Sequence, residues 1–156
     1  KPLAGGSLMV KWQILVSIFA LLVICSEVKA GDEEDVLANV NSWYTQLAAG
    51  DVEAMEISPH TRFSLNGGLL SVADPKKIKA WLSTPGLKIN NHGHHGDVEV
   101  YGDAAVYTGY ECVNITPPDG EERQETNRLT VVFAKKKGDW KVVHAHVSSL
   151  TPVNPE

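Results

Sequence analysis

The sequence predicts an α+β domain in which helices come first and an antiparallel sheet follows. Two observations carry this. Over residues 36 to 48 the apolar side chains recur at steps of three and four, and from Leu87 onward they recur at steps of two. Turn signals at Gly102-Asp103, Pro117-Pro118-Asp119-Gly120 and Gly138-Asp139 cut the second region into four strands, so neighbouring strands run antiparallel. Helices followed by a meander form two layers, with the helices on one face of the sheet.

The first helix is read from Val36, Leu37, Val40, Trp43, Tyr44, Leu47 and Ala48, with Asp32, Glu33, Glu34 and Asp35 at its positive end and Gly50 closing it. Asp51 is placed to cap a short second helix carrying Val52, Met55 and Ile57, stopped by Pro59. Asp74-Pro75 starts a third, with Ile78, Trp81 and Leu82 on one face and Pro85-Gly86 at its end. Strands are expected at 88–101, 104–116, 123–135 and 140–148, with a short one at 61–65.

Trp12 to Cys25 is a 14-residue run without formal charge, preceded by Lys11. A membrane span needs about 20 apolar residues, so this run is read as the core of a secretory leader. Val28 and Ala30 are the small residues a signal peptidase requires. The expected organisation is therefore upstream residues 1–8, a leader at 9–30 beginning at Met9, and a domain at 31–156, secreted or periplasmic, that meets a membrane only through its leader. The formal charge of -5 becomes -7 once Lys1, Lys11, Lys29 and Glu27 leave with the leader. An acidic chain whose basic run is confined to Lys135–Lys137 is a poor match for a phosphate backbone, which excludes a nucleic-acid partner. Cys112 then remains alone and reads as a small buried hydrophobe.

Alternation separates the faces of the last two strands. Val143, Ala145 and Val147, with Leu129, Val131 and Phe133, make an apolar face for the helices. Trp140, Val142, His144, His146 and Arg128 fall on the other, the composition of a homodimer contact. His92, His94 and His95 are the densest set of potential metal ligands. Strand alternation lets only His92 and His94 cooperate, and the spacing supplies no third ligand, so no metal or cofactor is expected. Asn114-Ile115-Thr116 is a glycosylation sequon with Pro117 beside it.

Three strings resemble the nuclear transport factor 2-like superfamily: Trp43-Tyr44-Thr45-Gln46-Leu47-Ala48-Ala49-Gly50-Asp51, Val100-Tyr101-Gly102-Asp103-Ala104-Ala105-Val106, and Gly138 to Ser148. The last is similar to the final strand of SnoaL-like proteins and of the association (hub) domain of calcium/calmodulin-dependent protein kinases. The resemblance implies a curved antiparallel sheet wrapped around three N-terminal helices to form a cone-shaped pocket. It leaves function to the site, since the scaffold hosts isomerases, dehydratases, transport factors and hubs.

Carried over residue by residue, the isomerase tyrosine is replaced by Trp43 and the base falls at Asn66 or Gly67, neither able to move a proton. The hub arginines fall at Val131, Val147 and Cys112. The expectation is a small apolar ligand contacted by Trp43, Tyr44, Phe63, Cys112, Val131 and Val147, in a homodimer held through Arg128, Trp140, His144 and His146. Two alternatives accompany it: a lyase or isomerase using His94 or Asp97 as base with Tyr107 or Tyr110 as donor, and an oligomerisation hub.

Overall fold

A computed structural model describes residues 30–65 and 68–150. The expected leader (apart from Ala30) and the isomerase-base position at Asn66 and Gly67 lie outside them. Helix α1 spans Ala30–Ala49 and α2 Pro75–Leu82. The strands are β1 (His60–Phe63), β2 (Ser71–Ala73), β3 (Lys88–Tyr101), β4 (Ala104–Thr116), β5 (Arg123–Lys136) and β6 (Asp139–Ser149). They form one six-stranded sheet in the order β2-β1-β6-β5-β4-β3. The sheet is mixed, because β1 runs parallel to β6 while every other pair is antiparallel.

Helix α1 carries Asp32 and Glu33 in its first turn, where carboxylates complement the exposed backbone N–H groups. It ends in a Schellman closure: Gly50, at φ 69°, donates to the Leu47 carbonyl at 3.0 Å and Asp51 to that of Gln46 at 3.0 Å. Only Val36, Val40, Tyr44 and Leu47 of its stripe are buried; Leu37 and Trp43 stay on its exposed flank. The stripe packs on Ala105, Tyr107, Val131, Phe133 and Trp140, with Val98, Val100, Leu129 and Val142 around them. Lys135 joins the two layers, donating to Asp32 at 2.5 Å while its ammonium sits 5.2 Å from the centre of the Trp140 ring.

The second expected helix does not form. Asp51 does accept from the Ala54 backbone N–H at 3.3 Å, but only the turn at 52–54 results. The segment before Pro59 is too short to propagate beyond its nucleus. The described residues thus contain two helices where three were expected. Helix α2 begins as read, with Asp74 accepting from the Lys76 N–H at 2.9 Å and Pro75 at the first turn, and buries none of its side chains.

The face assignment also changes on the last strand. The β5–β6 register shifts between Val132 and Phe133, which pair with His144 and Val142 respectively, so Val143 is an extra residue. Beyond it the alternation holds: Ala145 and Val147 oppose Val131 and Leu129. Before it the parity is inverted, and Trp140, expected on the outer face as a dimer contact, is instead buried in the core with Val142 packed against it.

Candidate functional site

The helix-covered face of the sheet holds a polar cluster where the last turns of α1 cross β3 and β4. Residues 105, 107, 109, 111 and 113 of β4 share that face by alternation, which places Tyr107 and Glu111 there among Ala105 and Val113. Gly93 of β3 lies directly opposite Glu111, and Asn127 of β5 flanks it on the other side. Glu111, Asn91 and Asn127 are all buried.

Both carboxamides donate to the one carboxylate: Asn91 Nδ2 to Glu111 Oε2 at 3.2 Å and Asn127 Nδ2 to Glu111 Oε1 at 3.2 Å. A carboxylate only accepts, so it fixes which way each amide is turned and aims both amide oxygens away from itself. Those oxygens, Asn91 Oδ1 and Asn127 Oδ1, are buried without a partner, as is the Tyr44 hydroxyl.

Glycines create the room for the two phenols. A methyl group added at Gly93 would stand 2.7 Å from Cε2 of Tyr44, and one at Gly109 or Gly96 would stand 2.7 or 2.8 Å from the Tyr107 hydroxyl. Burial pushes the Tyr44 phenol well above its ordinary pKa, with neighbouring Tyr107 and the charge of Glu111 adding to it. Tyr107 is raised for the same leading reason, burial. Both phenols therefore stay protonated at neutral pH beside a buried carboxylate. Such a group can bind a molecule bearing N–H donors, or hold a proton acceptor and two proton donors around a reacting centre.

The remaining expected site residues divide between the faces. Val131 and Val147 are on the helix-covered side, where the apolar ligand was expected, and Tyr44 joins them. Cys112, aligned with a hub pocket arginine, belongs instead to the opposite face, where it pairs with His92 and approaches Thr126 Oγ1 at 3.8 Å. His94, Asp97 and Tyr110 share that outer face, so the expected bases are separated from Tyr107 by the sheet itself. Trp43 is on the exposed flank of α1.

Phe63 is also on the outer face, edge-on to His144 and His146 with centroids 5.7 and 5.6 Å away. Thr61 Oγ1 bonds His144 Nδ1 at 2.8 Å, and Arg128 donates to the Ser149 carbonyl at 3.5 Å. A separate polar cleft of about 370 Å³ lies beside the N-terminal half of α1, lined by Asp35, Asn39, Glu56, Trp140 and Lys141. Glu56 and Lys141 pair with each other, and the cleft shares no residue with the tyrosine cluster.

Glu111, Asn91 and Asn127 were not among the residues singled out from the sequence. Alternation along β4 puts Glu111 in step with Tyr107, which signals its face but not its grouping with Asn91 and Asn127 on the neighbouring strands.

A profile of the SnoaL-like domain matches residues 36–152. No curated protein sequence matches the chain. Among solved structures, the hub of calcium/calmodulin-dependent kinase II from S. rosetta is similar at 27% identity, with 79% of this chain and 100% of that chain covered and a TM-score of 0.61. An NTF2-like protein of Rhodospirillum rubrum, of unknown function in nutrient uptake, aligns at 19% identity over 75% of this chain and 99% of its own, with a TM-score of 0.64. An NTF2-like protein of Streptomyces avermitilis, provisionally assigned as a dehydratase, aligns at 17% identity over 78% and 98%, with a TM-score of 0.62.

Proposed function

We propose, from the premise that this chain belongs to the SnoaL-like domain family, that it is an exported binding domain which holds a small molecule against the helix-covered face of its sheet and pairs with a second copy through the opposite face. The observation that carries the binding reading is the set of buried, unpartnered oxygens around Glu111: Asn91 Oδ1, Asn127 Oδ1 and the Tyr44 hydroxyl. Leaving such atoms desolvated costs about 1–3 kcal/mol each, a cost that a fitting ligand removes.

The cluster's demand is for donors. With a carboxylate and two outward-turned carbonyls it matches a head group carrying N–H, while the half-buried Leu129 and Val147 on the same face offer an apolar surface to the rest of the molecule. This narrows the wholly apolar ligand expected from the sequence to an amphipathic one, seated in the cone that the family resemblance implies. A thermal-shift screen tests it. Alkyl amines and amides are expected to raise the Tm of the protein, and Glu111→Gln is expected to abolish the response to amines. Equal stabilisation by alkyl carboxylates, or none by any compound, would overturn the reading.

Export and pairing have their own tests. Recovery of the protein outside the cytoplasm with Gly31 as its first residue is expected, and an intact N-terminus there refutes the leader. Sedimentation is expected to give a dimer that His144→Ala weakens, because His144 and His146 sit with Phe63 on the outer face. A ring-sized particle would favour the hub alternative.

The two protonated phenols beside Glu111 favour a second reading, a lyase or isomerase in which Glu111 takes the proton and Tyr44 or Tyr107 donates to the substrate oxygen. Loss of turnover with unchanged ligand affinity in Glu111→Gln would select it over binding alone.

A further inference from the structure

The β3–β4 register brings together a group of metal-binding side chains on the outer face, on the far side of the sheet from the tyrosine cluster. His92 and His94 are two residues apart on β3 and share a face; Cys112 of β4 is the direct cross-strand partner of His92. The spacing along the chain supplied two imidazoles only, and the third ligand comes from the neighbouring strand. One ligand atom from each of the three residues lies within 4.8 Å of the others. The two imidazoles meet edge to face with centroids 4.7 Å apart.

We propose that His92, His94 and Cys112 form a binding site for a zinc-type divalent cation, with three protein ligands and a fourth position left to water. Tetrahedral ligation at about 2.0–2.1 Å for nitrogen and about 2.3 Å for sulfur sets ligand atoms roughly 3.3–3.6 Å apart. Closing from 4.8 Å needs only side-chain rotation, because both histidines are exposed and Cys112 is half-buried. Two imidazoles and a thiolate form a soft-to-borderline set, which selects zinc over magnesium or calcium. On binding, the thiol gives its proton to solvent and the sulfur takes the metal.

The backbone is shaped at this point. The β3–β4 register shifts between His94 and Asp97, and His95 takes φ 51°, a conformation uncommon for a residue with a side chain. The bulge turns His95 onto the outer face, edge-on to Tyr110 at 6.3 Å, where simple alternation would have sent it to the opposite side. Bulges of this kind re-aim side chains next to functional sites, and here the bulge follows directly on His94.

Cobalt(II) titration of the reduced protein tests the site, because a thiolate ligand gives a charge-transfer band that imidazole and carboxylate ligands do not. One cobalt per chain with that band is expected, with stoichiometric displacement by zinc. Cys112→Ser is expected to lose the band, and His92→Gln to weaken binding at least about tenfold, the scale on which even an outer partner of a metal ligand matters. His92 is exposed, so the second variant keeps its fold if the first does not. Absence of the band, or uptake unaltered in His92→Gln, would overturn the site; magnesium or calcium displacing cobalt as well as zinc does would overturn its zinc-type character.

Discussion

Replacing Tyr44 by Phe isolates the electrostatics of the buried cluster. The hydroxyl that leaves is buried without a partner, so at pH 7 the substitution removes an unpaid desolvation and is expected to leave stability unchanged or raised by about 1 kcal/mol. Alkaline pH then distinguishes the two proteins. In the unfolded chain a tyrosine ionises near its ordinary value of about 10, whereas in the fold burial, Tyr107 and Glu111 keep the Tyr44 phenol protonated well beyond it. Above pH 10 the unfolded state therefore holds fewer protons than the native state, and stability falls as pH rises.

The contribution is fully present below the unfolded value and declines by about 1.4 kcal/mol per pH unit above it, for as long as the native phenol stays protonated. Urea unfolding at pH 9, 10 and 11, run in parallel on parent and Tyr44→Phe, should show the parent losing about 1.4 kcal/mol relative to the variant between pH 9 and 11. Tyr107, whose phenol interacts with that of Tyr44, is removed from the comparison by placing Tyr107→Phe in both proteins; the remaining titrating groups are common to the two and cancel in the difference. A gap that does not change with pH would mean that Tyr44 ionises in the fold as freely as in the unfolded chain, and would refute its burial beside Glu111.

Gly109→Ala puts a methyl group 2.7 Å from the Tyr107 hydroxyl and is expected to cost about 1–3 kcal/mol by overpacking; the loss should shrink in a Tyr107→Phe background, measured as a double-mutant cycle. Asn127→Ala, at a fully buried position, strands Glu111 Oε1 and is expected to cost about 2–3 kcal/mol by denaturation, while Asn127→Asp sets a second carboxylate against the first, with a penalty that grows from pH 4 to pH 7. Deleting Val143 removes the extra residue of the β6 bulge. Val142 and His144 then become consecutive residues opposite Phe133 and Val132, so Trp140 and Val142 stay in the core, His144 and His146 stay outside, and a loss of no more than about 2 kcal/mol is expected in urea; a larger loss would refute the assignment of Val143 as the bulged residue.

What the sequence made legible and what it hid separate at those same bulges. Apolar period, capping residues and Gly-Asp turns act locally, so the stripe from Val36 to Leu47, the Asp74-Pro75 start of α2 and the limits of β3 to β6 fall where local chemistry sets them. A bulge adds one residue without any compositional mark of its own. Alternation read backwards from His146 consequently carries Trp140 to the wrong face, and alternation read across His94 does the same for His95. Strand β2, three residues paired only with β1, carries too short a pattern to be seen before its partner is known.

The polar cluster was hidden for a different reason. Asn91, Glu111 and Asn127 lie on three strands, and what makes them one group is the cross-strand register of β3, β4 and β5, which spacing along the chain does not encode. The same register joins Cys112 to His92 on the opposite face. The sheet therefore displays two chemically distinct groups back to back from consecutive residues of β4: Glu111 faces the helix among amides and phenols, and Cys112 faces outward among imidazoles. A one-residue slip of β4 against its neighbours would exchange them, so both groups depend on the turn at Gly102-Asp103 that sets this pairing.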